Sequence, residues 1–172
     1  MTGGAEAHSA VPPGARGCRI RMAAASDHDP ILSLLSRAGL PTADLSSGTP
    51  VSIWLAEHDG RTVGVIGLER YPSTGLLRSL AVLPEHRGRG LGAALVQHLE
   101  VQATRLGVTE LVLLTETAKQ FFLQRGYRVI GRRDAPPVVQ ASAEFRTLCP
   151  AAAICMSKSL RTGGPGRNGG SA

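Results

Sequence analysis

Arg87-Gly88-Arg89-Gly90-Leu91-Gly92 lies between an apolar run ending in Val82-Leu83-Pro84 and a run with helical periodicity that begins at Leu91. Glycines at 88, 90 and 92 carry no Cβ, so the backbone can pass close to a bulky group. A helix that opens at Leu91 leaves its first amide N–H groups unpaired, with the positive end of its dipole behind them. Strand, glycine-rich turn and helix N-terminus in that order read as a seat for a pyrophosphate. The remaining sequence must therefore deliver this turn from a sheet and define the ligand that fills it.

At 172 residues the chain suits one domain with a true core. Aromatic residues make up 3% of it, so the core must be built mostly from Leu, Val, Ala and Ile. The net charge of +6 is nearly all arginine, with 17 Arg against 2 Lys. Arg161 and Arg167 hold two of those units with no acid nearby, and no five like charges run together. A dispersed basic surface suits an anionic small ligand as well as nucleic acid, so charge alone does not choose. No apolar run approaches the roughly 18 residues of a membrane helix, and no membrane partner is expected. Met1–Gly17 has neither an apolar h-region nor an Arg-rich amphipathic pattern, so no leader peptide is expected there. Three cysteines, Cys18, Cys149 and Cys155, cannot form a full disulfide framework, which points to a reducing cytoplasm. The five histidines are scattered with no pair at ligand spacing, so no metal is expected.

Residues 1–17 and 161–172 are rich in Gly, Pro, Ala and Ser and read as flexible tails around a single domain, 18–160. Cys18–Met22 reads as a first strand. Asp29-Pro30 then opens a helix, with the proline at its first position and Ile31, Leu34, Leu35 and Ala38 on one face. Val51–His58 and Arg61–Arg70 are strands joined by Asp59-Gly60, a two-residue hairpin signal. After the Tyr71–Gly75 turn, Leu76–Leu83 is a third consecutive strand. The helix from Leu91 carries Leu95, Leu99 and Leu106 and stops at Gly107. Glu110–Leu114 reads as a buried strand, Ala118–Arg125 as a short helix, and Tyr127–Arg132 and Ala152–Leu160 as strands. A helical turn is expected around 138–148. The class is α+β: a mixed sheet with an antiparallel N-terminal meander leading into the strand–glycine loop–helix site.

Gly88-x-Gly90-x-x-Ala93 satisfies the dinucleotide fingerprint, but that fingerprint belongs to the first turn of a parallel βαβ unit. Here three antiparallel strands come first. A P-loop fails because no Lys-Ser or Lys-Thr follows the glycines. Arg87-x-x-Gly90-x-Gly92, after Leu80-Ala81-Val82-x-Pro84, resembles the acetyl-CoA-binding motif of the GCN5-related N-acetyltransferases. Ala118-x-x-Phe121-Phe122-x-x-x-Gly126-Tyr127 is similar to that superfamily's second motif, and the resemblance runs from about Arg19 to Leu160. A narrower resemblance, to N-acetyltransferases associated with arsenic resistance, rests on three further segments. These are Leu76-Leu77-Arg78-Ser79-Leu80-Ala81-Val82, Leu114-Thr115-Glu116-Thr117-Ala118 and Ser142-Ala143-Glu144-Phe145-x-x-Leu148-Cys149-Pro150.

The resemblance implies a GNAT fold, acetyl-CoA as co-substrate, and acetyl transfer to the amine of a small amino-acid-like molecule. It implies an organoarsenical or a phosphinic glutamate analogue as acceptor. It assigns the coenzyme seat to Arg87, Gly88, Arg89, Gly90, Leu91 and Gly92, and the pantetheine contact to the backbone of Leu80, Ala81 and Val82. An N–H near Val82 would also meet the developing oxyanion, a contribution often worth about 3 kcal/mol. Many members have a tyrosine as leaving-group acid where this chain has Phe122, which cannot donate a proton. Phe122 then either walls the coenzyme site or packs the core, while Thr115 or water assists the leaving thiolate. Glu69 and Glu116 are the candidate bases, against readings as a solvated hairpin residue and a helix-dipole acid. Arg70, Arg78 and Arg146, with Ser79 and Glu144, form the candidate acceptor site, the arginines as forks for an oxyanion or as solvated surface residues, and Glu144 for an ammonium or as the start or cap of a helical turn. Arg78 stands out, because a charge inside an apolar strand demands a partner or a ligand. Cys149 and Cys155 are either thiol ligands for trivalent arsenic or buried packing residues.

Two other classes compete: a protein or peptide N-acetyltransferase, and a catalytically silent acetyl-CoA-binding regulator. A nucleic-acid module is disfavoured, since the chain has no clustered basic face or aromatic platform. Dimers are common in the superfamily, so a homodimer is admitted.

Overall fold

The computed structural model describes residues 15–46 and 50–161. Residues 1–14 and 162–172, most of the two expected tails, lie outside the described residues. The described end of the first tail is packed, with Ala15 buried in the main core.

Seven strands form one sheet, in the order β1-β2-β3-β4-β5-β7-β6. β1 (Cys18–Met22), β2 (Val51–His58), β3 (Arg61–Arg70) and β4 (Thr74–Val82) pair antiparallel in chain order. β4 then pairs parallel with β5 (Glu110–Thr115), and β5 antiparallel with β7 (Ile154–Ser159). β6 (Arg128–Ile130) closes the far edge against β7. This is the expected mixed sheet with an antiparallel meander. The β2–β3 connection is the predicted two-residue hairpin: Asp59 and Gly60 both have positive φ, 49° and 73°, as a type I′ turn requires.

Two helices cover the two faces. α1 (His28–Arg37) lays Ile31, Leu34 and Leu35 on Leu55, Val65 and Ala81. α2 (Leu91–Arg105) lays Leu91, Leu95 and Leu99 on Trp54, Ile66 and Leu68. Neighbouring residues, Trp54 and Leu55 or Val65 and Ile66, go to opposite cores because successive strand side chains alternate. Each buried Leu or Ile contributes about 1.5–3 kcal/mol.

Several boundaries differ from the sequence reading. α1 begins at His28, after a tight turn over Ala25–Asp27, so Pro30 is its third residue and not its first. The proline is tolerated there because the first four N–H groups of a helix have no intrahelical acceptor. The fourth buried rung of α2 is Ala103, while Leu106 caps the helix and is 44% exposed. β4 begins at Thr74 and ends at Val82, and α3 is only Lys119–Leu123. β6 is shorter than predicted because Tyr127 turns inward onto Phe122 and Arg132 enters a tight turn, Arg132–Asp134. β7 is likewise trimmed to Ile154–Ser159. The helical turn expected at 138–148 is two pieces, α4 (Pro137–Gln140) and a wide π-type turn, Glu144–Leu148.

Candidate active site

β4 and β5 pair only from Thr74 to Leu76 and from Glu110 to Val112. Beyond that point the strands part, and the cause lies in β4. Val65 faces Ala81 and Gly67 faces Arg78, so the single Ile66 stands opposite both Ser79 and Leu80. This β-bulge bends β4 away from its neighbour. Ser79 takes the strain, with φ at +57°, a conformation that non-glycine residues hold at a cost of order 1–3 kcal/mol. The gap is a cleft of about 410 Å³, walled by 77–80 of β4 and 113–118 of β5 and its following turn. Phe122, Glu144, Leu148, Cys149 and the 38–41 loop close it.

The backbone of Val82 points away from β3. Leu83 N–H donates to Val63 C=O at 2.8 Å, and bonded rungs alternate along an antiparallel pair. The adjacent Val82–Gly64 rung is therefore unbonded, and the N–H and C=O of Val82 point away from β3. Arg87 folds back so that its Nε donates to the Val82 carbonyl at 2.9 Å. The glycine loop follows at once. Gly88 and Gly90 have φ of 72° and 78°, and Gly90 is the N-cap of α2. The first bond at this end runs from Ala94 N–H to Gly90 C=O, leaving the preceding amides without intrahelical acceptors. Nothing lies within 4 Å of the place a Cβ would occupy on Gly88. Gly92 packs on the Phe121 ring, where a Cβ would approach to 3.4 Å. The loop is thus an open cradle of amides with Arg87 and Arg89 exposed beside it. It fits a diphosphate.

A buried charge cluster lies behind one wall of the cleft and reaches it through Arg78 and Glu144. The Arg78 guanidinium, 1% exposed, is gripped through both Nη atoms by the Asp44 carboxylate. Its Nη1 also donates to Glu69 Oε2 at 3.3 Å, and its Nη2 stands 3.1 Å from Glu144 Oε2. Tyr71 OH donates to Glu69 Oε1 at 2.6 Å, and the Cys149 thiol donates to Glu144 Oε1 at 3.4 Å. Burial pushes Glu144 above the ordinary carboxylate range, against the pull of Arg78. Burial and the Glu144 charge push the Cys149 thiol up to about 12.

These contacts revise several expected roles. The Arg78 fork expected to hold a substrate oxyanion is filled by Asp44, so its demand for a partner is met inside the protein. Arg70 and Arg146 are exposed and do not line the cleft. Glu69 is a buried ligand of Tyr71 and Arg78 and not a solvated hairpin residue. Glu116 lines the cleft and is exposed, but lies ahead of α3, outside its first turn. Thr115 Oγ1 accepts the Ala118 N–H at 2.9 Å. Phe122 lines the cleft and packs on Phe121 and Tyr127 at 3% exposure. Of the strand residues expected to meet the coenzyme, Leu80 lines the cleft, whereas Ala81 is buried in the α1 core. Cys155 is buried, and its thiol is pushed up to about 11 by desolvation. Among the described residues, no group of three or more His, Cys, Asp or Glu could hold a metal ion. No described helix is long and apolar enough to cross a membrane.

Asp44 and Tyr71 were invisible as site residues in the sequence. Asp44 sits in an irregular loop with no local signal, and only the fold brings it to Arg78.

Comparison with known proteins agrees with this geometry. Residues 49–129 match the model of the acetyltransferase (GNAT) domain. An amino-acid acetyltransferase of Ralstonia nicotianae is 37% identical over 73 residues, 41% of this chain and 16% of that protein. An uncharacterized N-acetyltransferase of Chlorobaculum tepidum is 31% identical over 103 residues, 59% of this chain and 64% of that protein. The chain thus spans less than two thirds of either relative. The structure of N-acetylglutamate synthase from Neisseria gonorrhoeae, complexed with coenzyme A and N-acetyl-glutamate, superposes with a TM-score of 0.73 at 21% identity. That match covers 84% of this chain and 35% of the synthase chain, and it shows a shared fold. The bulged strand and the glycine cradle both lie within the residues that match the GNAT acetyltransferase domain, on a fold shared with solved acetyltransferases.

Proposed function

We propose that the protein transfers the acetyl group of acetyl-CoA to the amine of a small, amino-acid-like acceptor. The observation that carries this reading is the bulge at Ser79–Leu80, which opens β4 from β5 beside the glycine cradle. Acetyl-CoA supplies an activated acyl carbon: the amine lone pair bonds to it, the C–S bond breaks, and the electron pair leaves on sulfur. The amides of 88–92 hold the diphosphate, with Arg87 and Arg89 adding charge. The Val82 N–H, turned from β3, meets the pantetheine arm and the developing oxyanion.

The motif resemblance narrows the acceptor to an organoarsenical or a phosphinic glutamate analogue. Glu144 and Glu116, the carboxylates in the cleft lining, suit the amine end of such a molecule. Its anionic end needs an arginine outside the cluster, and Arg70 and Arg146 are the sequence candidates. Three free cysteines fit a reducing cytoplasm, where this detoxifying role would be exercised. Assays with arsinothricin beside ordinary amino acids test the narrow claim; good turnover of another amine with none of arsinothricin overturns it.

A second reading, an acetyl-CoA-binding regulator without turnover, draws on Phe122, which offers no proton to the leaving thiolate. A CoA thiol with a pKa near 8.5 leaves tolerably without one. Acetyl-CoA binding with no thiol release on any small amine would favour the regulator.

A further inference from the structure

Behind the cleft, three carboxylates, Asp44, Glu69 and Glu144, surround one guanidinium, and all four side chains are more than nine-tenths buried. The carboxylates are not equivalent. Asp44 takes hydrogen bonds from both Nη atoms of Arg78, and Glu69 takes one from Tyr71 and one from Arg78. Among the described residues, Glu144 has only the weak Cys149 thiol on Oε1. Its Oε2 is buried and receives no hydrogen bond from them, since Arg78 Nη2 lies close but is not aligned to donate. Glu144 lines the cleft, whereas Glu69 and Asp44 do not. A buried acceptor that lacks a donor, beside a surplus of negative charge, calls for a cationic donor entering from the cleft.

We infer that Glu144 is the catalytic base of the proposed acetyl transfer, with Oε2 receiving the acceptor's ammonium and taking its proton. The inference rests on the acetyltransferase reading above. The ammonium gives one proton to Oε2 and becomes the free amine. The amine's lone pair forms the N–C bond, its second proton ends on the departing sulfur, and Glu144 returns the first to water. The balance is ammonium plus thioester giving N-acetyl amine, free thiol and one proton.

Burial supports this role. The groups facing Glu144 are Arg78 from β4, Asp44 from the loop after α1, Glu69 from β3 and Cys149 from its own segment. Desolvation, Asp44 and Glu69 raise its affinity for a proton, while Arg78 and Cys149 oppose them. A carboxylate moved toward neutrality is a better base at working pH than a solvated one such as Glu116.

Glu144→Gln keeps the side chain's size and removes the base. Its kcat on any amine that the wild type turns over should fall about 10²–10⁴-fold, and the acid limb of the kcat/KM profile should disappear. Glu144→Asp should keep that limb with partial activity. Coenzyme A should raise the melting temperature of all three proteins equally, which separates a lost base from a lost fold. Without any ligand, carboxyl-¹³C NMR should show one glutamate titrating above the ordinary range, absent from Glu144→Gln. Turnover by Glu144→Gln within twofold of wild type, with the acid limb intact, or no elevated glutamate signal, overturns the assignment alone. Absence of wild-type turnover on every amine overturns the acetyltransferase reading and the base with it.

Discussion

Asp44 fills the guanidinium fork of Arg78 from a loop 34 residues away in sequence, and both side chains are buried. The pair ties the loop after α1 to the strand that opens the cleft. Removing one partner of a buried, hydrogen-bonded pair costs far more than a surface ion pair, because the other charge is left desolvated.

Arg78→Met should therefore destabilise the fold by about 3–5 kcal/mol near neutral pH, read by urea unfolding. It also takes from Glu144, already raised by burial, the one charge that lowers it most. The penalty then shrinks as pH falls and Glu144 protonates. A loss under about 1 kcal/mol would contradict a structural role for the cluster.

A second, more exposed network ties β1 to the start of α1. Arg21 bonds Asp27 at 2.7 and 2.9 Å and Glu57 at 2.7 Å. The Arg21 bonds, with the Ala24 N–H, lower Asp27 to about 2 from an ordinary value of 3.8. A depressed carboxylate contributes stability above its unfolded pKa that is lost as pH falls through the folded one. Chemical denaturation should show a wild-type decline between about pH 4 and pH 2 that flattens in Arg21→Gln.

At Gly88 a Cβ meets no neighbour, so Gly88→Ala pays only for its positive φ, about 1 kcal/mol of stability. The same methyl enters the space assigned to the diphosphate. Coenzyme A affinity should fall at least tenfold by calorimetry, well beyond the stability effect. At Gly75, in contrast, a Cβ would lie 2.6 Å from Leu68 and 2.9 Å from Leu111, so Gly75→Ala should cost about 1–3 kcal/mol through overpacking.

Glu144 raises the Cys149 thiol by its charge and by accepting its hydrogen bond. Labelling of Cys149 by a disulfide reagent at pH 8 should be slow in the folded wild type and faster in Glu144→Gln, where more thiolate forms. Equal rates would show that the two side chains do not interact.

The parts of this structure that were legible in the sequence are those written in local signals. Asp59-Gly60 announced the β2–β3 hairpin, and alternate glycines ahead of Leu91 announced the cradle at the start of α2. The bulge was hidden because it falls on Ser79, where nothing in the residue type marks a positive φ; it arises from pairing opposite Ile66, 13 residues upstream. The partners of Arg78 were hidden for a related reason. An arginine in an apolar strand signals that something must neutralise it, but Asp44 and Glu144 reach it only through tertiary folding. The same long-range packing removed Arg78 from the set of free oxyanion ligands and left Glu144 Oε2 as the acceptor without a donor.

The central claim is tested most directly by incubating the protein with acetyl-CoA and a panel of small amines, following thiol release and product mass together. The account predicts free thiol appearing one-for-one with an N-acetylated amine. Absence of both acetyl-CoA binding and thiol release across the panel would contradict it.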